Sequence, residues 1–316
     1  MFTRIKYKIN KMKIKLILLI KNEFENESIL KIPKNKRKII YIKKIICNPK
    51  KTFLYLTGKV FSIKYIEMVL TTACTLNCKG CSALMGYYKN PYNTDLDQNI
   101  KTLDRLLNSV DSLYQLRLLG GEPLCYPNLY EILSYTNKND KIKRVTIVTN
   151  GTLIIKDNRI LELLKNKKFD VFISNYGKIS SKKDELIKQL KDNNIKYELR
   201  AEDFLWRDYG DLECRNRSEK ELKKQFLNCE IMCNSLFEGE LHHCPRSSHG
   251  TKLNKLPLRN QDYIDLLNED LTQKQLRKEL YKFFYKYVPY VEACNYCNSG
   301  TKCIKTMPAG LQENRR

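Results

Sequence analysis

From residue 64 onward the chain alternates two hydrophobic rhythms. Tyr65-Ile66-Glu67-Met68-Val69-Leu70-Thr71 is a short run rich in β-formers and predicts a strand. Between residues 97 and 114, apolar positions at Ile100, Leu103, Leu106, Leu107 and Val110 fall at helical spacing. The pairing then recurs: strands over 116–119, 145–149, 170–174 and 196–200, with helices over 128–136, 159–166 and 182–193 between them. Five strands separated by helices predict an α/β chain with a parallel sheet, whose functional residues sit on loops at the C-terminal strand ends. Three of those loops carry distinctive residues: Cys74, Cys78 and Cys81; Gly120-Gly121-Glu122-Pro123; and Thr149-Asn150-Gly151.

The flanks follow other patterns. Residues 1–63 are Lys/Ile-rich and hold no catalytic motif, with short strands expected over 39–42 and 52–56. Beyond about residue 205 the βα rhythm stops. Residues 236–242 predict a β-hairpin around Glu238-Gly239, and 262–283 a helix. The expected division is an N-terminal extension (1–63), a core (64–215) and a Cys-rich C-terminal part (216–316).

Composition narrows the setting. Hydrophobic residues make up 42% of the 316, enough for a sizeable core. The apolar run Leu16-Ile17-Leu18-Leu19-Ile20 falls short of the roughly 20 residues of a membrane span and the roughly 7–15 of a signal h-region. A cytoplasmic protein with no membrane partner is therefore expected. In that compartment the twelve Cys are reduced thiols, metal ligands or buried apolar groups rather than disulfides. The net charge is +23, but 43 of the 58 cations are Lys, spread along the chain without Arg clusters and interleaved aromatics. The charge reads as solvated surface that tolerates an anionic substrate, and nucleic acid is not the expected partner.

Cys74-x3-Cys78-x2-Cys81 places three thiols on one tight loop, where they can converge on one metal centre. Structural zinc usually takes four protein ligands, often from two knuckles. Three thiols without an adjacent fourth suit a [4Fe–4S] cluster with one open iron. Here the sequence resembles the radical S-adenosylmethionine (radical SAM) superfamily, in which this motif follows the first strand. The resemblance implies that the open iron chelates S-adenosylmethionine, whose reductive cleavage gives a 5′-deoxyadenosyl radical that abstracts a substrate hydrogen. It implies a cofactor-binding role for Gly120, Gly121, Glu122 and Pro123, with Glu122 meeting the methionine ammonium. It places Asn150 beside the cosubstrate, Ser174 and Asn175 near the ribose, and Arg200 on the methionine carboxylate. One position departs from the family: the aromatic residue or His usually found before the third Cys is Gly80. The implied fold is a partial (β/α)5–6 TIM-like barrel with a small C-terminal β-hairpin/helix Fe–S domain, of which five barrel strands are legible.

A second thiol set follows the hairpin pattern: Cys229-x9-Gly239-x4-Cys244, then Cys294-x2-Cys297-x5-Cys303. It resembles the SPASM/twitch extension of radical SAM enzymes. The longer form carries a further Cys where this chain has Met307, so the shortened twitch form with one auxiliary [4Fe–4S] cluster is implied. The expected ligands are Cys229, Cys244, Cys294 and Cys297, with Cys233 an alternative to Cys229 and Cys303 in reserve. A structural zinc site is the competing reading of the spacing. His242, His243 and His249 are expected at the surface or in hydrogen bonds, and Cys47, Cys125 and Cys214 to be small apolar or free thiols. Trp206 is either a junction anchor or a pocket wall, and Asp203 and Asp208 are candidate proton acceptors. The sequence thus points to a radical SAM enzyme acting on a small alcohol, sugar or peptide, fed by an electron donor such as a flavodoxin or ferredoxin. A nucleic-acid-modifying radical SAM enzyme and a zinc-stabilised scaffold are the alternatives.

Overall fold

In the computed structural model, residue 40, residue 47 and residues 49–316 are described, apart from 230–232, 286–288, 303 and 314–316. The strand expected over 39–42 falls, Ile40 excepted, outside the described residues, as does Cys303. Helix α1 (Pro49–Thr57) stands where a strand over 52–56 was expected. A five-residue apolar run fits either state, and both edges of the first strand are taken by other partners.

Four βα repeats and a fifth strand follow: β1 (Ser62–Thr71), α2 (Leu96–Ser109), β2 (Ser112–Gly120), α3 (Leu129–Lys138), β3 (Ile142–Thr149), α4 (Asn158–Leu164), β4 (Phe169–Ile173), α5 (Lys183–Asp192) and β5 (Tyr197–Leu199). All four neighbouring strand pairs are parallel. This is the expected partial barrel, and its sheet stays open. Asp95 caps α2, its carboxylate accepting from Gln98 N at 2.7 Å. The helix stops at Ser109 rather than running to 114. Asp111 accepts from Phe61 N at 2.6 Å and Arg277 Nη2 at 2.9 Å, pinning the turn that starts β2.

The remaining elements are β6 (Leu205–Asp208), α6 (Glu219–Asn228), β7 (Ser235–Phe237), β8 (Glu240–His242), α7 (Pro245–Lys252), β9 (Tyr263–Asp265), α8 (Gln273–Tyr285) and β10 (Lys305–Pro308). The hairpin expected over 236–242 forms, turning through Glu238 (φ 48°) and Gly239 (φ 84°), the two positive φ values of a type I′ turn. Its first strand pairs parallel to β1 on the edge away from β2, giving the order β5-β4-β3-β2-β1-β7-β8-β9. The helix expected over 262–283 is shorter. Residues 263–265 take the open edge of β8 as β9, and helix begins only at Gln273. A separate antiparallel ribbon joins β10 to β6. Among the described residues no helix is long and apolar enough to cross a membrane.

The two faces of the sheet differ. Ile66, Met68, Leu70, Leu116, Leu118, Val145 and Ile147 belong to the main apolar core. The alternate residues form a polar ladder in which Glu67, Arg117, Thr146 and Asp170 are register partners across four strands. Gln115 Nε2 donates to Thr146 Oγ1 at 2.8 Å, Arg144 pairs with Asp170, and Arg117 Nη1 donates to Tyr65 OH at 3.0 Å. The outer face is thus apolar and the inner face polar, with Arg117 Nε buried and unpaired within it.

Candidate active site

A cavity of about 920 Å³ opens over the C-terminal ends of the parallel strands. Cys74, Cys78 and Cys81 are in its wall, together with Gly120, Gly121, Asn150, Ser174 and Arg200. Loop closure explains the two glycines. A Cβ on Gly120 (φ +148°) would lie 2.2 Å from Thr71 O, and one on Gly121 2.0 Å from Ala73 O. The Gly121 and Glu122 N–H groups donate to those two carbonyls at 2.7 and 2.8 Å. The glycines therefore let one loop lie against the other, which fixes the base of the cysteine loop.

Among the described residues, no three His, Cys, Asp or Glu side chains are gathered as a single metal ion would need. The donor chemistry nevertheless fits an iron–sulfur cluster. Burial pushes the Cys74 and Cys78 thiols up to about 12 and raises Cys81 as well. Three half-buried thiols of this kind become thiolates only against a bound cation, and loading releases their protons.

Glu122 does not line the cavity. It is fully buried, and its carboxylate accepts from Asn150 N at 2.8 Å and Leu124 N at 3.1 Å. This corrects the expectation of a direct contact with the methionine ammonium: the residue clamps the loop after β2 to the loop after β3. Pro123 is buried beside it. Burial pushes the Glu122 carboxyl up to about 7, against the pull of the Asn150, Leu124 and Thr149 donors. The folded chain keeps this proton between pH 4.5 and about 7, where the unfolded chain has released it. Stability therefore falls as pH rises through that window and levels off above it. The effect is about 3 kcal/mol at most. Urea midpoints should fall between about pH 5 and 7.5 in wild type and less in Glu122→Gln; parallel curves would assign the dependence elsewhere.

The other predicted residues divide cleanly. Asn150 Nδ2 donates to Thr75 Oγ1 at 3.0 Å and lies 3.7 Å from Cys74 Sγ, tying the β3 loop to the cysteine loop. The Arg200 guanidinium lies over the Phe172 and Phe204 rings, 5.0 and 4.4 Å from their centroids. Asn175 is buried, off the cavity wall, and accepts from Gly177 N at 3.1 Å. Trp206 lines the cavity and packs edge-on against Tyr176. Asp208 accepts from Gly210 N at 2.9 Å, and neither it nor Asp203 is in the cavity wall.

A second thiol set gathers at the C-terminal part. Cys244, Cys294 and Cys297 lie within electrostatic reach of one another and of Cys229. Cys244 is the N-cap of α7, its sulfur accepting from Ser247 N at 3.4 Å. Cys297 Sγ accepts from Ser299 N at 3.3 Å. Arg217 and Gln225 both donate to the carbonyls of Cys294 and Cys297, at 2.7–2.9 Å, and fix that turn. Burial pushes Cys244 up to about 12 and raises Cys294 and Cys297. Cys229 also reaches the wall of the large cavity. Cys233 belongs elsewhere, hydrogen-bonded to Tyr65 and Glu67 of the inner ladder. His242 bonds Ser247 and Glu240, His249 bonds Tyr88, and His243 stacks on Phe283. Cys47 and Cys214 are exposed, and Cys125 is partly buried.

Sequence reasoning missed three contributors. Glu67 and Arg117 reach the cavity from the ladder. Their signal was the polar alternation inside β1 and β2. The third contributor, Tyr176 in the loop after β4, also lines it. Finally, a Cβ on Gly80 (φ +70°) would lie 2.7 Å from Met307 Sδ, so β10 fills the space beside that unusual glycine.

Comparison with known proteins matches residues 68–197 to the Radical SAM superfamily. A GTP 3′,8-cyclase from Syntrophomonas wolfei is 30% identical over 144 residues, 41% of this chain and 43% of that protein. The antilisterial bacteriocin subtilosin biosynthesis protein AlbA of Bacillus subtilis is 36% identical over 104 residues, 33% of this chain and 22% of that protein. The chain thus spans less than half of either relative. Among solved structures, BtrN in complex with AdoMet and 2-DOIA aligns with a TM-score of 0.46 and 15% identity, over 79% of this chain and 95% of that one. Residues 68–197 of the chain thus carry a radical SAM domain.

Proposed function

We propose that this chain is an enzyme that cleaves S-adenosylmethionine at a [4Fe–4S] cluster held by Cys74, Cys78 and Cys81. The resulting 5′-deoxyadenosyl radical takes a hydrogen atom from a small alcohol, a sugar or a peptide. The observation that carries this reading is a single cavity walled by the three thiols, the Gly120-Gly121 turn, Asn150, Ser174 and Arg200, and reaching Cys229. When bound, the cluster supplies the chelating iron and the electron for cleavage. The protein's part is positional. Gly120 and Gly121 offer backbone to the ammonium, Arg200 faces the carboxylate, and Ser174 with Tyr176 borders the ribose. Glu122 and Asn150 hold these loops in register.

Residues 64–215 form the core in this reading, and 216–316 hold the auxiliary site. Cys229, Cys244, Cys294 and Cys297 ligate a second [4Fe–4S] cluster, placed where a second electron can leave the substrate. A flavodoxin or ferredoxin supplies the first. A peptide is favoured by the cavity mouth, where Phe204, Leu205 and Leu227 line the wall yet are 46, 52 and 54% exposed. An apolar rim of this kind suits flanking residues of a longer substrate. The likeness to the subtilosin biosynthesis protein supports the same choice.

Anaerobically reconstituted protein should hold about eight iron atoms per chain, as two four-iron clusters require. It should release 5′-deoxyadenosine under dithionite. Zinc in place of iron, or no deoxyadenosine, would sink this reading.

A further inference from the structure

The last described residues return to the cysteine loop. After β10, Gly310 (φ +73°) passes so close to Tyr176 that a Cβ would lie 2.6 Å from its ring. The strap then bonds to residues 77–79. Lys79 N donates to Leu311 O at 2.6 Å, and Glu313 N donates to Asn77 O at 2.9 Å. Asn77 Nδ2 donates to Glu313 O at 2.5 Å.

Gln312 makes the most informative contacts. Its Oε1 accepts from Asn77 N at 2.8 Å, and its Nε2 donates to Gly310 O at 2.6 Å. A backbone N–H on one side and a backbone carbonyl on the other fix which end of the amide is which. The second N–H of Nε2 therefore points at Cys78 Sγ, 3.1 Å away. We propose that Gln312 is a positioning residue for the cluster held by Cys74, Cys78 and Cys81, donating an N–H···S bond to Cys78 that raises the cluster's reduction potential. This rests on the function proposed above. The physical reason is general: reduction adds negative charge to a cluster and its sulfurs, so a donor aimed at a ligand sulfur favours the reduced form. The strap thus reaches over 230 residues back along the chain to the loop where the electron must arrive.

The test is a potentiometric titration of the reconstituted full chain. The signal followed is the electron-paramagnetic-resonance signal that changes on adding S-adenosylmethionine, which marks this cluster. Gln312 is exposed, so its substitution disturbs little packing. In Gln312→Leu the reduced-to-oxidised ratio at a fixed potential should fall about tenfold, equivalent to about 59 mV for one electron. Gln312→Glu keeps an acceptor for Asn77 N but loses the donor, and should fall at least as far. Leu311→Ala trims an exposed side chain of the strap without touching the donor and should titrate as wild type. Ratios within twofold of wild type in both Gln312 variants overturn the proposal. So does an equal shift in Leu311→Ala, which would mean that strap integrity, not the donor, sets the potential. A wild-type chain lacking the signal altogether overturns the underlying function as well.

Discussion

Gly121→Ala is expected to leave the sheet folded while cutting 5′-deoxyadenosine formation by about 10²-fold or more, the scale of a 1 Å misplacement at a reacting centre. The added Cβ would stand 2.0 Å from Ala73 O, 2.5 Å from Ala73 C and 2.9 Å from Cys74 Cβ. Two of those three atoms are backbone, so no side-chain rotation relieves the clash. The loops must part, and parting them breaks the Gly121 N–Thr71 O and Glu122 N–Ala73 O bonds. Overpacking of this kind costs about 1–3 kcal/mol, and each buried backbone group left unpaired adds about 1–3 kcal/mol. The main core lies on the other face of the sheet, so the chain tolerates that loss better than the site does. Gly58→Ala is the control. Gly58 (φ +75°) lies far from the cavity against Tyr281, and its Cβ would sit at 3.4 Å. That change should lower stability by about 1 kcal/mol through the left-handed backbone and leave deoxyadenosine yield intact. Equal activity loss in the two variants would show that instability, not loop displacement, limits Gly121→Ala.

The same glycines show how far the sequence could be read. Their position after a strand, opposite a cysteine loop, was legible because both features are local. What they press against was not, because it depends on the register of β1 with β2, where Thr71 meets Gly120. Glu122 shows the limit more sharply. A carboxylate next to two glycines suggests a ligand contact, yet its direction is decided by Asn150 N from another βα unit. The inner ladder was written in the alternation of Tyr65-Ile66-Glu67 and Gln115-Leu116-Arg117, a period of two that names a polar face without saying what covers it. Two errors share one cause. Residues 263–265 and 112–114 fit a helical pattern locally but became strands because β8 and β1 offered edges to pair with. The strap from 305 to 313 had no signal at all, since hydrogen bonds to residues 77–79 leave no periodicity.

Cys229 and Cys233 are four residues apart and indistinguishable by spacing, so the sharpest chemical contrast is expected between their serine variants. Cys229→Ser should reduce iron from about eight to about four atoms per chain, the loss of one four-iron cluster. Cys233→Ser should keep about eight. The difference comes from where each sulfur is delivered. Cys229 follows α6 as its C-cap and sits 3.3 Å from Ser299 Oγ, beside the turn that Arg217 and Gln225 fix. Cys244 and Cys297 meet it there. Cys233 instead lies half-buried beside Tyr65, Glu67 and Arg117 of the β1–β2 ladder. Moving it to the auxiliary site would give up its place beside the Tyr65–Glu67–Arg117 group of the ladder. A serine at 233 retains a hydroxyl for the bonds to Tyr65 and Glu67, so the ladder persists and iron is unaffected. Iron and sulfide assays on the two reconstituted variants decide the matter. Iron lost from Cys233→Ser and kept by Cys229→Ser would reverse the ligand assignment and move the auxiliary site onto the inner face of the barrel.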